Sequence, residues 1–275
     1  MLADFAVRLA AGLAVLLLAT PVKEVPPRFY RTHALVILSL LVLAALVYWS
    51  AGTPATTAGE ASRTAAAGAV GVPAHGLILA GSAAVLAYLA TVCWGMGLPR
   101  LAGPLTAAVA GVGGWILVAI SVAEASATGV GPVVIALNAL ARTTSAVLLG
   151  ASLSAMLLGH YYLTASTMSI EPLKRYIAWS GWGLAARGAV AAAGVAVAAT
   201  HAFGTAGLGG SPVVFEVIRW GMGVVAAGVA LRLSWQTALI RSTQSATGIL
   251  YIATILVLFG ELAALAAQGS TGVAM

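Results

Sequence analysis

The chain has 275 residues, 61% of them hydrophobic and only 7% charged, with a mean hydropathy of +1.04. Soluble domains are about a quarter charged, so this composition excludes a water-soluble surface and leaves little charge for any extramembrane domain. The net charge of +6 comes from basic residues placed between apolar runs, where they orient a membrane protein; no basic patch with interleaved aromatics exists, which excludes nucleic acid as a partner.

A span needs about 20 mostly apolar residues at 1.5 Å rise each, and Pro, Gly and charge clusters mark the breaks. The sequence therefore predicts an all-α fold, a polytopic integral membrane bundle of about eight transmembrane helices forming a single domain over 1–275. The first span, 3–20, has the length of a signal-peptide core but follows Asp4 and contains Arg8 instead of opening on basic residues. It reads as a retained helix, with cleavage near Ala19 as the alternative. Arg8 lies near the end of that span, where it is expected to snorkel to the interface.

The second span, 33–50, follows Glu24-Val-Pro-Pro-Arg-Phe-Tyr30, and the Ala/Gly/Thr-rich stretch Ala51–Ala74 reads as a long, weakly structured connection. The third, 76–96, carries Cys93, whose solitude excludes disulfides, zinc knuckles, iron–sulfur ligation and C-x-x-C-H haem attachment within the chain. The fourth, 105–126, holds Glu124 near its end. The fifth, 132–163, is about 48 Å long at 1.5 Å per residue and must tilt or project. At about 100° per residue, its Asn138, Arg142, Ser145, Ser152, Met156 and His160 fall within about 40° of one direction, so one face is polar from end to end.

The sixth span, 172–200, follows Glu171-Pro-Leu-Lys-Arg-Tyr176 and repeats the pattern with Tyr176, Gly183, Arg187, Gly194 and His201. Lipid rejects such faces, so the two are expected to look at each other or at a common interior, with Gly183 and Gly194 allowing close approach. The seventh, 212–240, contains Glu216 and Arg219, spaced i,i+3 to neutralise one another, and Arg232, expected to snorkel; the eighth, 243–267, contains Glu261. The segments 24–30 and 171–176 echo one another, which admits a parallel 4+4 duplication of 1–126 and 132–267; two Pro-containing basic loops explain the echo more simply.

Lys23, Arg28, Arg31, Arg100, Lys174, Arg175, Arg232 and Arg241 fall at one set of span ends and Arg63 alone at the other. The positive-inside rule then makes the odd-numbered connections cytoplasmic and both termini external, in a multi-pass protein of a cell membrane, of bacterial inner-membrane type. Trp94, Trp179, Trp182 and Trp235 fall near the inner interface and Trp49 and Trp220 near the outer one, as an aromatic belt requires.

Ionisable groups in hydrocarbon cost several kcal/mol unless partnered, so Glu124, Arg142, Arg187, Glu216, Arg219 and Glu261, with Asn138, are candidates for a buried proton or substrate path. Arg142 is expected to pair with Glu124 or Glu261. Ion pairing that fixes helix register explains two or three of these residues without any further role. Among the histidines, His33 and His160 share the inner leaflet, flanked by Arg28, Tyr30, Arg31, Tyr161, Tyr162, Lys174 and Arg175; His75 and His201 belong to the outer side and are expected to be solvated. Two imidazoles at one depth suit haem b ligation, with Arg28, Arg31, Lys174 or Arg175 meeting the propionates, or a quinone hydrogen-bonded by His33, His160 or Tyr161.

No Walker A loop, H-E-x-x-H, G-x-S-x-G or acidic magnesium cluster occurs. The leading expectation is a membrane subunit of a respiratory or redox assembly that holds haem b or a quinone and passes electrons to partner subunits, at most a non-catalytic or quinone-reactive part of an oxidoreductase. A small-solute transporter or exporter, its path lined by the fifth and sixth helices, is the alternative. A membrane-embedded enzyme acting on a lipid is the third reading, weakened by the lack of a nucleophile, metal cluster or acid pair.

Overall fold

The computed structural model describes residues 1–52, 73–128, 131–164, 169–202 and 213–271. It is a helical membrane bundle: α1 Leu2–Leu18, α2 Pro27–Gly52, α3 Pro73–Gly95, α4 Pro99–Thr128, α5 Pro132–Thr164, α6 Glu171–Ala202, α7 in three contiguous pieces (Val213–Val217, Ile218–Ala226 and Ala227–Leu239), and α8 Thr243–Thr271. The middle piece of α7 is π-helical. Each predicted span has its helix, with ends that differ by several residues. The expected connection over 51–74 falls mostly at 53–72, outside the described residues.

Local sequence sets the helix ends. Pro27, Pro73, Pro99 and Pro132 each open a helix, where the missing N–H costs nothing and the fixed φ is already helical. The turn from α3 to α4 closes with Gly97 at φ 70°, while the Leu98 N–H donates to the Cys93 carbonyl at 2.9 Å, a glycine-capped helix end. The turn from α7 to α8 uses the same pattern, with the Ser242 N–H donating to the Thr237 carbonyl at 3.0 Å; here Arg241 takes the left-handed conformation, at φ 58°.

Six helices among the described residues are long and apolar enough to cross a membrane: α2, α3, α4, α5, α7 and α8. Of the remaining two, α1 has 17 residues and α6 begins with the charged Glu171, Lys174 and Arg175. The shortness of α1 matches its surroundings. Ala3, Ala6, Val7, Leu9, Ala10, Leu13, Ala14, Leu16 and Leu17 are all buried, and the helix packs against α2, α4 and α5, so protein lines it on most sides.

Its contact with α5 is made through glycines. A Cβ on Gly12 would stand 2.6 Å from the Ala146 carbonyl carbon, and one on Gly150 would run into the Gly12 backbone, so the two helices touch backbone to backbone. The same device joins α7 to α8 through Gly223 and Gly260, and α6 to α5 through Gly183, whose Cβ would meet Leu148 Cα at 3.2 Å. Around these crossings α2 pairs with α3, α3 with α4, and α5 with both α6 and α8.

At the end of the bundle where α1 finishes and α2 and α6 begin, the two echoing segments meet. Arg175 pairs with Glu24 at 3.0 Å, Phe29 lies edge-on to Tyr176, and the Tyr176 hydroxyl is hydrogen-bonded to Thr20. Tyr30 donates to the Thr20 carbonyl at 3.0 Å and stacks on Trp94, with ring centroids 4.4 Å apart. Trp94 is therefore an internal packing residue, a correction to its place in the aromatic belt; its stack with Tyr30 and a hydrogen bond to Thr106 hold it inside. Trp49 and Trp182 are exposed on the flanks.

Candidate functional site: a charge network across six helices

The strongest concentration of polar chemistry lies toward the opposite end, where α1 and α5 begin and α4 and α8 finish. It has two parts. In the first, Arg8 grips Asp4 with two hydrogen bonds of 3.0 and 2.7 Å, one turn apart on α1. Arg142 of α5, fully buried, reaches both oxygens of Glu124 at 2.6 Å, donates to Ser121 at 2.9 Å, and lies 3.5 Å from Asp4. Gln268 of α8 donates to Glu124 at 3.3 Å. The expected pairing of Arg142 is thus with Glu124, and Asp4 is an addition.

Arg8 requires a correction. It does not snorkel: it is 2% exposed, because α1 is enclosed by neighbouring helices and its carboxylate partner lies one turn away on the same face. Arg232, expected to behave in the same way, is exposed.

The second part starts one turn further along α5. Ser145 donates to one oxygen of Glu261 at 2.5 Å, and the Arg187 Nε of α6 donates to the other at 2.9 Å. Both Arg187 and Glu261 are buried, so a carboxylate of α8 joins the polar faces of α5 and α6. On α7, Arg219 lies 3.6 Å from Glu216 and its guanidinium sits 5.3 Å from the Trp220 ring centroid. Trp220 donates its indole N–H to Glu216 at 3.1 Å, and Arg219 lies within electrostatic reach of Arg187 and Glu261.

The eight charges Asp4, Arg8, Glu124, Arg142, Arg187, Glu216, Arg219 and Glu261 balance, four against four. Balance matters in a low dielectric, where an unmatched charge costs several kcal/mol. Asn138, the last member of the predicted path, is buried one turn before Arg142.

The His33 and His160 candidates are arranged differently. His33 is fully buried, its ring 3.9 Å from that of Phe29; its Nδ1 is 2.9 Å from the Phe29 carbonyl, and its Nε2 has no hydrogen-bond partner among the described residues. His160 is exposed and its Nδ1 meets the Tyr251 hydroxyl of α8 at 3.3 Å. Tyr161, one residue on and about 100° around the helix, is the residue that α5 turns toward α2: its hydroxyl meets Thr32 at 2.9 Å and its ring packs near Phe29. The two imidazoles therefore do not converge, whereas Phe29, Tyr30, His33, Tyr161 and Tyr176 form one aromatic cluster. Arg28 and Arg31 are exposed beside it, and Arg175 is held by Glu24. His75 is exposed, and the His201 side chain lies outside the described residues.

Sequence reasoning missed Asp4, Ser121, Tyr251 and Gln268. Asp4 and Arg8 are spaced i,i+4 in an apolar run, and the rule that flagged the other buried charges would have flagged them together. Among the described residues no group of three or more His, Cys, Asp or Glu side chains is placed to hold a metal ion. No family model matches the chain, and no curated protein or solved structure is similar to it.

Proposed function

We propose that this chain is a transporter of a small solute in a cell membrane, with a polar path lined by α5 and α6. The observation that carries the reading is the meeting of Ser145 and Arg187 on the single carboxylate of Glu261, which turns the polar faces of α5 and α6 toward one shared interior. Intramembrane ionisable groups directed into a bundle mark substrate and ion pathways. The test is reconstitution into liposomes and measurement of protein-dependent solute flux or charge movement across a panel of small ions and metabolites. Flux that disappears in Glu261→Gln recovered as folded protein supports the reading, and no flux for any solute in the correctly folded native chain rejects it.

One observation favours a second reading, a redox subunit that holds haem b or a quinone and serves partner subunits. With Nδ1–H donated to the Phe29 carbonyl, His33 presents a bare Nε2 lone pair inside an aromatic cluster, the tautomer that ligates iron or accepts a hydrogen bond from a reduced quinone. His160 points elsewhere, so a second axial ligand would have to come from outside the inner cluster. The absorption spectrum of the purified, dithionite-reduced protein and quinone extraction decide this reading. A sharp α-band or bound quinone, lost in His33→Ala, supports it; a featureless spectrum with no quinone rejects it.

A further inference from the structure

The two parts of the charge network are not equally complete. Both terminal nitrogens of Arg142 are engaged, on Ser121 and Glu124, and its Nε, without a hydrogen bond, stands 3.5 Å from the Asp4 carboxylate. In the second part, Nη1 of Arg187 and both terminal nitrogens of Arg219 are buried without a hydrogen bond among the described residues; Arg219 Nη1 faces Glu216 Oε1, an acceptor equally without one, at 3.6 Å, so Nη1 of Arg187 and Nη2 of Arg219 are the donors left open. The two side chains are only 6% and 4% exposed and belong to different helices. Leaving a cation's donors unmade in such surroundings is expensive, and the natural remedy is an acceptor that fits between them.

The carboxylates within reach do not supply it. Glu261 lies deep and is shared by Arg187 and Ser145, whereas the Glu216 side chain is 28% exposed, stands 3.6 Å from Arg219 and also accepts the Trp220 indole N–H. Arg187, Arg219, Glu216 and Glu261 balance, two against two, but the two carboxylates together leave Nη1 of Arg187 and Nη2 of Arg219 without an acceptor. Arg219 also sits in the π-helical piece Ile218–Ala226, and such irregular turns recur at functional sites. One turn on from it, Gly223 packs against Gly260, the residue before Glu261, which fixes α7 closely against the helix that bears the shared carboxylate.

We propose that Arg187 and Arg219 form a binding site for an oxyanion, a carboxylate or phosphate group, near the end of the bundle where α7 begins. Guanidinium forks match both groups geometrically, and Trp220 supports the Arg219 plane from its side. The phosphate can belong to a free small anion or to a lipid headgroup. The inference deepens the transporter reading by naming the class of its cargo, and it rests on that reading only for the step from binding to passage.

The test uses the purified, delipidated full chain in detergent. Its thermal unfolding midpoint is followed against inorganic phosphate, against acetate and, separately, against phosphatidylglycerol in mixed micelles. The variants are Arg219→Gln combined with Glu216→Gln, which removes this ion pair together and strands no charge, and Arg232→Gln, an exposed arginine of the same helix, as control. A midpoint that rises with phosphate or acetate in the native chain and the control, with apparent affinity lowered about tenfold or more in the double variant, supports a free-anion site. The same pattern with phosphatidylglycerol alone assigns the site to a headgroup. No response to any of the three, or equal responses in all chains, overturns the proposal. Flux assays keep the two readings apart: anion binding without flux leaves the site standing and removes the transporter, whereas flux with no anion-dependent stabilisation in any chain removes the site alone.

Discussion

Glu261→Gln is the most informative single substitution. The carboxylate is 7% exposed, accepts Arg187 Nε at 2.9 Å and Ser145 at 2.5 Å, and its loss leaves Arg187, 6% exposed, without a countercharge and beside Arg219. Breaking one side of such a buried pair costs about 3–5 kcal/mol, because the survivor remains charged in a low dielectric. For a chain of this size that corresponds to a fall of about 6–20 °C in unfolding midpoint, at about 2–4 °C per kcal/mol. Arg187→Met combined with Glu261→Gln removes both charges, so the double variant should be more stable than Glu261→Gln alone by about 2 kcal/mol. The assay is a double-mutant cycle on thermal or SDS-induced unfolding in detergent micelles. Additive effects of the two substitutions would mean that Arg187 and Glu261 share no buried interaction, and the account of the second charge group would fall.

Three further expectations follow from other parts of the fold. Gly12→Val places a side chain against the Ala146 carbonyl, where only backbone fits, and should cost at least about 3 kcal/mol or prevent folding, as read by the yield of monodisperse protein. Arg241→Gly relieves a left-handed conformation at an exposed turn and should raise stability by about 1 kcal/mol in the same unfolding assay; a loss would show that the Arg241 side chain contributes more than its backbone costs. Reporter fusions at Val22–Val25 and at Ser169 should read cytoplasmic and a fusion at the C-terminus external, and a cytoplasmic C-terminus would mean that one helix does not cross.

The helices were legible because hydrocarbon imposes a simple rule: an apolar run of sufficient length, bounded by Pro, Gly and charge, has nowhere else to go. The polar faces of α5 and α6 were legible for the same reason, since lipid rejects Arg142 and Arg187. Which carboxylate each arginine meets depends on how helices pack, and that is set by close approaches such as Gly12 on Ala146 and Gly223 on Gly260, which no single-helix periodicity encodes. The placement of His160 failed to follow from depth alone. Depth is fixed by position along a helix, but direction changes by about 100° per residue, and it is Tyr161 that faces Thr32. Arg8 was misjudged because its depth was considered without Asp4, one turn earlier.

The contact between α1 and α5 also has a meaning in time. Gly12 and Ala146 are separated by more than a hundred residues of chain, which a ribosome takes on the order of 10 s to make. Through that interval α1 is present while the partner that encloses it does not yet exist. A lone arginine in so short a segment would be poorly retained by the bilayer. Coupled to Asp4 by two hydrogen bonds, Arg8 instead forms a neutral pair on one helix, which can wait in or beside the membrane until α5 arrives with Arg142. Disrupting Asp4 should therefore harm biogenesis before it harms the finished protein, lowering the amount inserted more than the stability of what is recovered.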